Sequence, residues 1–251
     1  MKHIFCLLIL MLSLNGSVRS QELTVAAAAD LRPALDEISA KFKAESGITL
    51  HTSYGSSGNF FQQLQNGAPF DVFLSANIDY PKKLEQAGLV ASGTYYQFAR
   101  GSIVLLVPYD SRIDLTEGLH GLMTPAVKKI AIANPSHAPY GQAAVAAIKS
   151  VGIYDWVAPH LVMGENISET ASFVLSGAAD AGIVAKSLAL APAAARRVKF
   201  VDVPAKDYPP LLQAMVVLKS SKNQAAAARF ESFMRSEDAK KLLQQHGFDL
   251  P

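Results

Sequence analysis

The sequence predicts an α/β fold with mostly parallel sheet, in a chain long enough for two lobes. Three observations carry that prediction. Short apolar runs alternate with segments of helical period along nearly the whole length, the pattern that βαβ units leave in a sequence. The chain has 251 residues, half of them hydrophobic, enough for a sizeable core without disulfides or metal. Charged residues make up only 18%, which argues against a disordered chain.

Residues 23–27 form the first apolar run, suited to a buried strand. Asp30 then stands where a helix opens, and Leu31, Ala34, Leu35, Ile38 and Phe42 share one face of it until Gly47. A strand follows over 48–53, and Gly55-Ser56-Ser57-Gly58 turns into a helix that runs through Leu64. A third strand covers 71–75, and a helix covers 80–86 before Gly88. Strands are then expected at 103–107, 129–133, 182–185, 198–203 and 214–218, with helices over 142–149 and around 171–175. Pro204 to Pro210 is proline-rich and fits a return linker between lobes. Two helices close the chain. One carries Phe230, Phe233 and Met234 on one side; the other has a Ser236 cap, Glu237 and Asp238 in its first turn, and Gly247 past its end. In such sheets ligands bind beyond the carboxyl ends of the strands, where helices begin.

The beginning of the chain looks like an address. Lys2 and His3 precede an apolar run over 4–14, and small and polar residues follow to Ser20. This is the pattern of a secretory signal peptide cleaved near Ser20. Cys6 lies inside the run rather than at the cleavage site, so no lipid anchor is expected. Cleavage removes Lys2 and Arg19 and no acid, which leaves 21 basic against 21 acidic residues and no cysteine. A disulfide framework and a cysteine zinc site are excluded, and nothing suggests a nucleic-acid binder steered by bulk charge. No run approaches the roughly eighteen apolar residues of a spanning helix. The phosphate-binding and nucleophile-elbow motifs GxGxxG, GxxxxGK[ST] and GxSxG are absent. The histidines (His3, His51, His120, His137, His160, His246) show no metal-pair spacing. Asp71 has no evident carboxylate or base partner, so a structural role at a strand end is expected.

Three segments join a strand end to a helix start through small polar residues. They are Ala28-Ala29-Asp30-Leu31, Tyr54 to Asn59, and Asn134 to Gly141. Helix N-termini expose unsatisfied N–H groups at a positive dipole end. Several aimed at one point form an anion site. Any one segment alone is also an ordinary turn; three after successive strands are stronger evidence.

The order AAAADL, YGSSGNF, NGAPFDVFLSAN, NPSHAPYGQAA and SGAADAGIVA resembles the molybdate-binding (ModA) family of ABC-transporter solute-binding proteins. The resemblance runs from about Leu23 to the final helix. It implies a two-lobed periplasmic-binding-protein fold of type II, each lobe a sheet flanked by helices, with the ligand cleft between lobes. It places the signal peptide at 1–20, lobe 1 at 21–105 plus 208–251, and lobe 2 at 106–207. Carried over by position, the family's oxyanion contacts fall on Ala29 and Asp30, Ser57, Tyr140, Ile167 and Ala185. Ala185 stands where some members have a tyrosine, and Tyr140 stands where those members have a small residue. Tyr140 therefore offers either its hydroxyl or its amide. The resemblance further implies a monomer in the periplasm, no catalysis, and no cofactor beyond a molybdate or tungstate ligand, molybdenum entering only as the oxyanion. The implied partner is an inner-membrane permease.

Molybdate and tungstate are tetrahedral dianions that only accept hydrogen bonds, so neutral donors suit them. Hydrogen phosphate carries a proton, and a site made only of donors leaves that proton unpaired, at about 1–3 kcal/mol. Asp30 has two readings. It is either the N-cap of the following helix, bonded to the Arg32 N–H, or a carboxylate facing the ligand that would favour phosphate. The competing functions are therefore a phosphate or sulfate binder and, in a different class, a secreted hydrolase using Ser57. The hydrolase lacks a recognisable base.

Overall fold

Strand and helix alternate as the periodicity requires, but the strands are divided between two sheets. The computed structural model describes residues 21–251; the expected signal peptide at 1–20 lies outside them. The first sheet begins with β1 (Glu22–Ala28), α1 (Arg32–Ser46), β2 (Thr49–Gly55), α2 (Ser57–Gln65), β3 (Val72–Ser75), α3 (Asp79–Gln86) and β4 (Tyr96–Gly101). The chain then enters the second sheet: β5 (Ile103–Pro108), β6 (Ile130–Ala133), α4 (Pro139–Ser150), α5 (Tyr154–Val157), β7 (Leu161–Gly164), α6 (Ile167–Leu175), β8 (Ala181–Ala185), α7 (Lys186–Leu190) and β9 (Val198–Asp202). Residues 203–210 lead back to β10 (Leu211–Val217), α8 (Gln224–Met234) and α9 (Glu237–Gln245).

The strand orders are β2-β1-β3-β10-β4 and β7-β6-β8-β5-β9. Both sheets are mixed, which corrects the expectation of mostly parallel ones. β1 is parallel to β2 and β3, and β6 to β7 and β8. β10 is antiparallel to β3 and β4, and β5 to β8 and β9. Every antiparallel ladder thus involves the first strand laid down after a crossing between sheets. Parallel neighbours arise from helical crossovers within one sheet, and a strand arriving from the other sheet is free of that constraint. The same ladders correct the lobe boundary. A break between 105 and 106 would cut β5, yet Ile103 to Pro108 pair entirely with β8 and β9. The crossing is at Ser102.

Alternation along β1 sends Leu23, Val25 and Ala27 into one hydrophobic cluster with Leu35, Ile38 and Phe42. Ala26 faces a second cluster with Phe60, Leu64, Phe73, Leu84 and Val216. Helices therefore cover both faces of the first sheet. The rings of Phe230 and Phe233 lie 5.2 and 5.4 Å from Phe42, which fastens α8 beside α1 and returns the end of the chain to the first lobe. Ser236 caps α9 as expected, accepting from the Ala239 amide at 3.3 Å. Asp71 has the structural role expected of it: its carboxylate accepts from the Thr24 amide (2.8 Å) and the Ser221 hydroxyl (2.6 Å), tying three segments together.

Candidate functional site

Four strand-to-helix junctions meet where the lobes face each other. β1 ends at Ala28 and leads into Ala29 and Asp30; β2 leads through Ser56 into α2; β6 leads through residues 134–138 into α4; β7 leads through Asn166 into α6. A small cavity of about 10 Å³ lies among them, lined by residues that include Ala29, Asp30, Ser57, Tyr140 and Ile167. The structure therefore brings five of the six expected site residues together, two junctions coming from each lobe. Ala185 is not among the lining residues. It is buried at the end of β8; Ser187, two residues on, donates its hydroxyl to the Asp30 carbonyl at 2.8 Å.

The cavity wall is a set of donors. Helices α2 and α4 start without a side-chain cap, which leaves first-turn N–H groups open. In α6 the Asn166 side chain takes the amides of Ser168 and Glu169 (3.0 and 3.1 Å) and leaves that of Ile167. Among the described residues no protein acceptor meets the amides of Ser57, Tyr140 or Ile167. The Ser57 hydroxyl accepts from the Ala76 amide at 2.9 Å, so its own proton is available to donate. Among the described residues no lysine, arginine or histidine lines the cavity.

Asp30 corrects the expectation of an N-cap. A 3₁₀ turn over Ala29–Leu31 precedes α1, whose N-cap position is Leu31. The Arg32 amide donates to the Ala29 carbonyl instead of the Asp30 side chain. The Asp30 carboxylate points into the protein at 0% exposure. Its Oδ2 accepts from the Tyr140 hydroxyl (2.8 Å) and from Gln213 Nε2 (2.6 Å). Burial pushes its pKa up to about 6, against the opposing effect of those two hydrogen bonds and of the Asp30 and Leu31 backbone amides. Tyr140 is pushed well above the usual phenol range by burial and by the carboxylate beside it. Its hydroxyl is committed to Asp30, so the amide is what Tyr140 presents to the cavity. Gly101 makes this possible, because a Cβ there would overlap the Tyr140 hydroxyl.

The lobes touch around the cavity. Ser168 Oγ donates to the Ala29 carbonyl (3.0 Å) and the Gly58 amide to the His137 carbonyl (2.9 Å). Gly58 is required there, since an added Cβ would stand 2.5 Å from that carbonyl oxygen. Ser56 Oγ lies 2.8 Å from His137 Nδ1, and Asn59 Nδ2 donates to Glu165 Oε1 at 2.6 Å. Ser57, the residue considered as a nucleophile, has the Ala76 amide rather than a base against its oxygen. Sequence reasoning missed Gln213, although a signal existed: it is a lone polar residue in the apolar strand LLQAMVV, and it is fully buried. Ser168, Ser187 and His137 carried no such signal.

Residues 23–249 match the family model of the bacterial extracellular solute-binding protein. The chain is 32% identical to the molybdate-binding protein ModA of Rhodobacter capsulatus over 96% of this chain and 93% of that protein. Identity to ModA of Azotobacter vinelandii is also 32%, over 93% of this chain and 92% of that one. The solved structure of the Azotobacter vinelandii periplasmic molybdate-binding protein superposes with a TM-score of 0.85 at 31% identity, covering 91% of this chain and 99% of that one. The chain belongs to the bacterial extracellular solute-binding proteins, within the ModA family.

Proposed function

We propose that this protein is the solute-binding component of a molybdate or tungstate ABC import system. The tetrahedral dianion sits between the lobes, and the closed form delivers it to an inner-membrane permease. The observation that carries this reading is the convergence of uncapped helix starts from both lobes on one small cavity that has no cationic side chain. Donors come from the backbone at Ala29 and Asp30, from the Ser57 amide and hydroxyl, and from the amides of Tyr140 and Ile167. Each meets an oxygen of the anion, and none ligates molybdenum. Neutral hydrogen bonds to a charged acceptor contribute roughly 1.5–3 kcal/mol each, so a handful hold a dianion without a lysine. The cavity, at about 10 Å³, is far below the roughly 300–1,000 Å³ usual for organic ligands, which favours a small inorganic anion.

Closure is a hinge motion about the two crossings, Ser102 and residues 203–210, driven by the ligand's differential affinity for the closed form. No chemical step is involved. The mature protein acts as a monomer in the periplasm, where the expected signal peptide would send it. A thermal-shift series with molybdate, tungstate, sulfate and phosphate tests the reading. A ligand at about a hundred times its dissociation constant stabilises the fold by roughly 2.7 kcal/mol. Stabilisation by molybdate and tungstate well beyond sulfate and phosphate is expected. Stabilisation by phosphate alone would replace this reading with the phosphate one.

A further inference from the structure

Between the lobes, next to the anion cavity, sits a buried polar group of three. Asp30 comes from the end of β1, Gln213 from β10, and Tyr140 from the first turn of α4 in the other lobe. Gln213 Nε2 donates to Asp30 Oδ2 at 2.6 Å and lies 3.1 Å from the Tyr140 hydroxyl oxygen. Two acceptors in the group have no partner: Asp30 Oδ1 and Gln213 Oε1. A buried acceptor without a donor is unfavourable, and a proton on the Asp30 carboxyl would relieve one of the two.

Among the described residues no cation pairs with the carboxylate. The groups facing Asp30 are Tyr140 from α4 and Gln213 from β10, together with its own amide and that of Leu31, with Gly101 of β4 behind them and Tyr208 near Tyr140. Arg32 on α1 stacks over Tyr54, Lys186 on α7 pairs with Asp202, and Glu169 on α6 accepts from the Glu165 amide. All three are engaged away from Asp30.

We propose that the lobes close over the oxyanion with a proton taken from solvent onto Asp30 Oδ1, so that binding is coupled to proton uptake through the Asp30–Tyr140–Gln213 group. The inference rests on the oxyanion-binding reading above. A neutral Asp30 removes the repulsion between a buried carboxylate and the dianion, and it converts one orphaned acceptor into a donor. Gln213 acts as a positioning residue that holds the carboxyl against Tyr140. The direction of linkage follows from burial, which raises the Asp30 pKa to about 6 in the closed form. Stabilisation of the closed form is therefore present at low pH and lost as pH rises through about 6.

Calorimetry of the mature chain with molybdate and with sulfate, in buffers of different ionisation enthalpy, counts the protons. At pH 6 uptake of about half a proton or more is expected, falling towards zero at pH 8. Affinity should weaken about tenfold between pH 5 and pH 8. Gln213→Met removes a hydrogen bond that favours the charged form, so its half-uptake point should move to higher pH; a merely structural role would not move it. Asp30→Asn should bind without proton uptake. Anion binding with no proton uptake in the natural chain would overturn the coupling alone, and uptake that persists in Asp30→Asn would overturn its assignment to Asp30. A chain that binds neither anion would overturn both the oxyanion reading and the coupling.

Discussion

Two bridges join the lobes beside the anion cavity, and they are built from opposite materials. One is the dry group Asp30–Tyr140–Gln213, in which every member is buried. The other is the rim group Ser56–His137–Glu165–Asn59, in which the Glu165 side chain is 63% exposed and lies 3.6 Å from His137. Both link a strand end of one lobe to a helix start or loop of the other. The rim group has its carboxyl in water, where screening and side-chain entropy leave a surface contact with about 0–1 kcal/mol. The dry group carries its carboxyl where water cannot substitute for a lost partner, so each partner matters more. Solvent access, rather than the number of contacts, decides which bridge governs closure.

Breaking the dry bridge should have the largest effect. Tyr140→Phe takes the Tyr140 donor from the buried Asp30 carboxyl, and about 2–3 kcal/mol of closed-state stability should go with it, read as a thirtyfold or greater loss of oxyanion affinity in calorimetry. Gly101→Ala attacks the same bridge from behind by pushing a methyl group into the Tyr140 hydroxyl. It should cost about 1–3 kcal/mol in a melt, and much less in a Tyr140→Phe background, a coupling that a double-mutant cycle measures. Ser57→Ala deletes one hydroxyl donor of the cavity. It should weaken binding by about 1.5 kcal/mol, roughly tenfold, without shifting the pH dependence. Glu165→Gln, at the rim, should change affinity by less than about 1 kcal/mol, and that small effect should fade with added salt. A rim effect as large as that of Tyr140→Phe would erase the contrast between the bridges.

The central strands and the anion loops were legible in the sequence because their residues are constrained by local rules. β1, β3, β5 and β8 are buried apolar runs, and Tyr54 to Asn59 and Asn134 to Gly141 carry turn and cap residues at strand ends. The edge strands β4 and β7 were not anticipated. β4 mixes Gln97 and Arg100 with apolar residues, and β7 is four residues long with Met163 exposed. Edge strands meet the sheet on one side only and so lack a strong hydrophobic signature. The place of the crossing escaped notice for a related reason. β4 and β5 are separated by one residue, Ser102, and nothing local marks which sheet a strand joins. Asp30 is the instructive case at the site. Its position before a helix suggested a cap, a local role, whereas its partners lie 110 and 183 residues away in sequence. Long-range pairing of that kind leaves no periodicity to read.

The central claim is that uncharged donors from both lobes enclose the anion. Crystals of the mature chain grown with molybdate, measured at the molybdenum absorption edge, test it most directly. A single anomalous peak is expected in the cavity, within hydrogen-bonding distance of the Ser57 hydroxyl and the Tyr140 and Ile167 amides, with the Tyr140 hydroxyl still on Asp30. A peak beside lysine or arginine side chains, or one contacting a single lobe, would contradict it.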